Sequence, residues 1–115
     1  MKQITSITAE PKQRFSVRLE DSSMVNIKME YSDTNRCWFM DVNYGGYETT
    51  CIQITNNPNI LRQVKNLYNF GIGCSVIDGT EPWFVDDFLT GRASLYVLSK
   101  ADVDYVEKNI YGQVL

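Results

Sequence analysis

The sequence predicts a mainly β fold: a small antiparallel β-barrel or sandwich of about six to seven strands, with a short helix after strand four or five and a C-terminal helix. Three observations predict it. Apolar residues alternate with polar ones over several short stretches, polar or glycine-containing turns separate those stretches at close intervals, and helical spacing is confined to two places. Alternation reports burial and not closure, so barrel and sandwich both fit.

The first strand is predicted in the stretch QRFSVRLE, where Phe15, Val17 and Leu19 fall on one side and Ser16, Arg18 and Glu20 on the other. The turn EDSS follows. Val25, Ile27, Met29 and Tyr31 then resume the alternation against Asn26, Lys28 and Glu30, and the two strands pair as a hairpin. A second polar turn, SDTNR, leads to a strand with Trp38, Met40, Val42 and Tyr44 on one face and Cys37 and Phe39 on the other. Gly45-Gly46 offers the positive φ that a tight hairpin demands, and the next strand sets Thr50, Ile52 and Ile54 on one side. Four strands in sequence make an antiparallel meander.

The rhythm changes at Asn57-Pro58. An Asn in N-cap position, a Pro at the first helical position and the spacing of Ile60, Leu61, Val64, Leu67 and Tyr68 predict a short helix that caps one end of the sheet. Ile72, Cys74 and Val76 form a strand that stops at Asp78-Gly79. The segment TEPWFVDDFLTG reads as a loop of unusual length carrying Trp83, Phe84 and Phe88. The last strand has Ala93, Leu95 and Val97 on one face and Tyr96 and Leu98 on the other. Ser99 with Asp102 then opens a helix carrying Val103, Val106 and Ile110. The core anchors expected from this pattern are Phe15, Leu19, Tyr31, Trp38, Met40, Val42, Ile52 and Leu95.

The chain of 115 residues fits one domain, 1–115, in which about two-thirds of the unfolded surface can be buried. No repeat or low-complexity linker divides it. Hydrophobic residues at 43% exceed what a disordered chain carries. The net charge of -3, from 11 basic and 14 acidic side chains spread along the sequence, leaves no cationic stripe for nucleic acid. Apolar runs are too short for a membrane span and the start lacks a signal peptide's apolar region, so a soluble protein made in the cytoplasm is expected. Cys37, Cys51 and Cys74 are an odd set at wide spacing and read as reduced thiols.

The sequence contains no histidine, which removes imidazole-dependent triads and the commonest zinc ligand. Asp86-Asp87 is the obvious candidate for a carboxylate pair, and adjacent residues in an extended chain point apart. These two read as turn-forming or hydrogen-bonded loop residues, because no further oxygen ligands recur at loop spacing. Gly71 and Gly73 make a bare GxG with no phosphate-binding motif completed around it. Trp38 is a core anchor. For Trp83 and Phe84 two readings stay open: exposed interface rings, or rings folded down to close the end of the fold. No catalytic, cofactor-binding or metal residue is assigned; Trp83, Phe84 and Phe88 are the interface candidates.

The order of elements is similar to that of the small plug proteins of contractile-tailed phage baseplates, a family typified by a cyanophage with a simple baseplate. The likeness is carried by Gln13-Arg14-Phe15 with Val17 and Leu19, by Tyr31, and by Trp38-Phe39-Met40-Asp41-Val42. It continues through Ile52-Gln53-Ile54, Asn59-Ile60-Leu61, Val76-Ile77-Asp78, Asp86-Asp87-Phe88-Leu89 with Gly91, and Leu95-Tyr96. Cys51 stands where that pattern places glycine, Thr90 separates Leu89 from Gly91, and the tail after Ser99 is longer than the pattern. The resemblance implies a non-enzymatic virion component at the axis of the baseplate hub, plugging or supporting the channel beneath the tail tube. It implies hub proteins, tube-end proteins and the tape measure as partners, a homotrimer in the assembled baseplate, and neither cofactor, membrane nor direct nucleic-acid contact.

Two other functions fit the residues alone. One is a small binding module of phage or prophage origin that takes a peptide or small ligand in a cleft near Trp83 and Phe84. The other is a carbohydrate-cleaving enzyme that pairs Asp86 or Asp87 with a distant partner such as Asp41 or Glu48; it requires two carboxyl groups within about 10 Å across a cleft.

Overall fold

A computed structural model describes residues 2–19, 22–62 and 68–109, and among these the chain forms two antiparallel sheets and two short helices. In chain order the elements are β1 (Lys2–Ile4), β2 (Lys12–Arg18), β3 (Met24–Ser32), β4 (Cys37–Tyr44), β5 (Tyr47–Gln53), β6 (Gly71–Val76), α1 (Asp87–Thr90), β7 (Ala93–Leu98) and α2 (Lys100–Asn109). One sheet is the expected meander, β2-β3-β4-β5; the other has the order β1-β7-β6.

The meander follows from alternation. Register pairs Phe15 with Ile27, Ile27 with Val42, Met29 with Met40 and Tyr31 with Trp38, so the apolar members of each strand share one face. Val25, Ile27, Met29, Trp38, Met40 and Val42 are buried on that face, and Asn26, Lys28 and Glu30 are exposed on the other. A single apolar cluster joins this face to Ile4, Ile72, Cys74, Ala93, Leu95 and Val97 of the other sheet, with Phe15, Leu19, Tyr31 and Ile52 packed at its margin. All eight expected core anchors therefore belong to the cluster or border it. The β4–β5 turn has φ of 61 at Gly45 and 85 at Gly46, the left-handed pair that a two-residue hairpin uses.

Strand β5 departs from simple alternation. Val42 faces Thr49 and Met40 faces Ile52, so Asp41 stands opposite both Thr50 and Cys51 in a β-bulge. Cys51 has φ 55, the left-handed region where glycine is favoured, and its amide donates to Asp41 Oδ1 at 2.9 Å. The extra residue reverses which side chains face inward. Thr50, expected beside Ile52 and Ile54, is exposed instead, and Thr49 turns in to share a 2.8 Å hydrogen bond with the Tyr68 hydroxyl.

Past β5 the chain crosses between the sheets. Ile54 N donates to Trp38 O at 2.9 Å, and then Asn57 and Cys74 exchange amide-to-carbonyl bonds of 3.1 and 2.9 Å along β6. The backbone lies so close that a Cβ on Gly73 would stand 2.5 Å from Pro58 O, which explains the bare GxG. The helix expected to start at Asn57-Pro58 does not start there. Asn57 is used as an edge partner of β6, and the Asn59 carboxamide oxygen accepts from Leu61 N and Ile72 N at 3.1 and 3.3 Å. Leu61 and Tyr68 are buried, while Val64 and Leu67 lie outside the described residues.

At the other end, α2 is opened by a reciprocal cap: Ser99 N donates to Asp102 Oδ2 and Asp102 N donates to Ser99 Oγ, each at 3.2 Å. Its apolar stripe packs Val103 and Val106 against Leu98, and Ile110 lies outside the described residues. Arg62 Nε meets the buried Glu107 carboxylate at 2.8 Å, tying the β5–β6 crossover to this helix. No helix among the described residues is long and apolar enough to cross a membrane.

Candidate interface loop

The segment between β6 and β7 is organised by two charged side chains. Asp87 opens α1 and is only 2% exposed; its Oδ2 accepts from Phe84 N at 2.8 Å and from Arg92 Nη1 at 3.0 Å. Arg92, just before β7, spends its other donors on the same segment: Nη1 on Glu81 O at 3.0 Å and Nη2 on Thr80 Oγ1 at 2.7 Å. A forked guanidinium with several fixed donors can tie distant loop positions together in this way. Thr80 also donates its amide to Asp78 Oδ1 at 3.1 Å, and hydrogen bonds from Thr80 hold the Asp78 carboxyl below its usual range. Glu81 Oε2 accepts from Asn56 N at 2.7 Å, which anchors the loop to the crossover.

The meander fixes the loop from below. The Tyr31 hydroxyl donates to Trp83 O, and Trp38 Nε1 donates to Phe84 O at 3.3 Å. Burial, and next the nearby Asp33 carboxylate, push the Tyr31 hydroxyl above its ordinary value, so it stays a donor through the neutral range. Both contacts take main-chain carbonyls and leave the side chains of Trp83 and Phe84 pointing away from the core. Those rings are 44% and 50% exposed, and the Arg92 guanidinium carbon lies 5.7 and 5.5 Å from their centroids.

Phe88 differs. It was expected with Trp83 and Phe84 as an interface residue, but it is buried at 9% exposure and meets Trp38 edge-on with centroids 5.9 Å apart. The reason is α1: one turn of helix, ended by Gly91 in the left-handed conformation, directs Phe88 inward and leaves Leu89 outside. The loop thus splits its aromatics, one ring closing the core and two facing solvent.

Asp86 and Asp87 split as well, as expected for neighbours. Asp87 is committed to the loop, Asp86 is exposed at the α1 N-cap without a side-chain cap bond, and Asp41 serves the bulge in the other sheet. Among the described residues, no group of three or more His, Cys, Asp or Glu side chains gathers where it could hold a metal ion. Two shallow concavities, of about 530 and 260 Å³, lie on the outer face of the meander, one lined by Arg14, Asn26, Asp41 and Glu48 and the other by Phe39 and Cys51 among others. Neither is lined by Trp83 or Phe84. Sequence reasoning missed Arg92; its one available sign was an arginine ending a loop five residues after a carboxylate.

Over residues 1–100 the chain matches the family described as cyanophage baseplate Pam3 plug gp18. The chain belongs to this family. The match stops where α2 begins. Compared with curated proteins, the chain matches none. Membership makes it a structural component of the phage tail baseplate, located in the virion and in contact with other baseplate proteins.

Proposed function

We propose that this baseplate plug sits at the axis of the hub, closes or supports the channel beneath the tail tube, and does so without catalysis. Its partners are the hub and tube-end proteins and the tape measure, and it stands as a homotrimer in the assembled baseplate. The observation that carries the reading is the inverted loop: Trp83 and Phe84 are exposed while their backbone is fixed by Asp87, Tyr31 and Trp38. Exposed rings on a prearranged backbone lose little freedom when a partner covers them, which is the property of an interface anchor.

Co-expression with a baseplate hub protein tests the reading. Trp83→Ala and Phe84→Ala should each reduce co-purification by the equivalent of about 2 kcal/mol or more, with thermal unfolding nearly unchanged. Undiminished co-purification of the double variant would assign the rings no part in assembly.

A further inference from the structure

A second feature lies at the edge of the meander. The four sheet edges are unequal. Along β6 the edge is occupied by residues 57–60, β5 is kinked by the bulge at Cys51, and β1 is three residues long. Strand β2 is different: it pairs residue for residue with β3 from Lys12 to Arg18 without a register shift, and among the described residues no strand lies on its other side.

The direction of its backbone groups can be worked out. Tyr31 N donates to Pro11 O and Leu19 N donates to Ser23 O, so the odd-numbered positions of this pairing are the ones bonded to β3. The N–H and C=O groups of Lys12, Arg14, Ser16 and Arg18 therefore point outward from the sheet. These same four residues have exposed side chains on the outer face, three of them cationic; Lys12 Nζ lies 3.8 Å from Glu30 Oε1 in an exposed pair, and Arg14 and Arg18 carry the selection. A strand added here would place its side chains directly opposite them, about 5 Å away, with alternate residues facing Lys12, Arg14 and Arg18.

We propose that β2 is a docking edge for an extended polypeptide segment carrying carboxylates at alternate positions. The outward amides and carbonyls supply a ladder of main-chain bonds, and the cations select the acidic strand. They also discourage pairing between two copies of this edge, because a second β2 would bring cation against cation. This surface is independent of Trp83 and Phe84, so either reading can fail without the other.

The test uses the full chain, isotopically labelled, and two synthetic peptides of alternating Glu-Thr and alternating Lys-Thr sequence. The Glu-Thr peptide should shift the amide resonances of Lys12, Arg14, Ser16 and Arg18 more than those of Gln13, Phe15 and Val17, and the Lys-Thr peptide should shift none. Arg14→Glu should weaken the Glu-Thr peptide about tenfold or more, the size expected for losing a hydrogen bond to a charged group. Ser16→Pro, which removes an outward N–H that β3 does not use, should abolish binding while the thermal transition persists. The proposal is overturned by no shift with the Glu-Thr peptide, by equal response to both peptides, or by binding that survives Ser16→Pro.

Discussion

The meander and the β6–β7 loop are built on opposite plans. In the meander, apolar side chains point into the shared core and polar ones point to solvent, and hydrophobic burial fixes the register. In the loop, the buried centre is the Asp87–Arg92 pair with its main-chain partners, and two large rings point outward. A sheet that only had to fold would need no such inversion. On the proposed reading the polar centre keeps the rings available to a partner, because the backbone beneath them is held by hydrogen bonds.

Trp38→Ala should separate the two plans most clearly. It removes a fully buried ring from the meander face and the donor to Phe84 O, and should cost about 4 kcal/mol in denaturant unfolding. Next comes Asp87→Ala. It leaves the Arg92 guanidinium and the Phe84 amide without their buried acceptor, and should cost about 3 kcal/mol by the same measurement. An effect of Asp87→Ala as small as that of an exposed-residue change would show that the loop is held by burial after all.

The core side of the comparison also has a pH signature. Burial first, and then the Glu81 and Asp87 carboxylates, push the Cys74 thiol up to about 12 from its ordinary value of 9.0. Between these limits the unfolded thiol ionises and the folded one resists, so the unfolded state binds fewer protons and stability falls as pH rises, by at most about 1.4 kcal/mol per pH unit. Below pH 9 this loss is absent. Unfolding followed from pH 8 to 11 should show the decline, and Cys74→Ala should make it shallower, the remainder coming from the raised Cys37 thiol and Tyr31 hydroxyl.

Two smaller effects sharpen the contrast. Cys51→Gly relieves a left-handed cysteine at the bulge, a strain of about 1 kcal/mol partly offset by glycine's extra freedom in the unfolded chain; a net gain of about 0.5 kcal/mol is expected by thermal unfolding. Trp83→Ala should cost less than about 1 kcal/mol of stability, far below Trp38→Ala, since its ring is 44% exposed and the Tyr31 bond to its carbonyl is kept.

Much of the meander was legible because each strand there carries its own periodic signal. Val25, Ile27, Met29 and Tyr31 need no distant information to declare a face. Strand β1 was missed for the opposite reason: Lys2–Ile4 is too short to alternate, and its identity as a strand depends on pairing with Leu95–Val97. The bulge was hidden because a one-residue insertion leaves the composition of β5 unchanged and shows only in register. At Asn57-Pro58 the local cap signal was overridden by pairing with Cys74.

In the loop, sequence could name the aromatics but could not sort them. Nothing periodic distinguishes Trp83 from Phe88, because a single turn of helix from Asp87 to Thr90 is too short to leave a pattern. Tyr31 and Trp38 were legible as core anchors, yet their second use, holding the loop through hydroxyl and indole donors, depends on contacts 52 and 46 residues apart. Asp87 was legible as a hydrogen-bonded loop residue, and only its partner Arg92 went unseen.

Hydroxyl-radical footprinting, compared between the isolated protein and intact tails, addresses the inverted loop most directly. The account predicts that Trp83 and Phe84 are readily oxidised in the isolated protein and protected in the tail, with Phe88 unreactive in both. Equal oxidation of Trp83 and Phe84 in the two samples would contradict it.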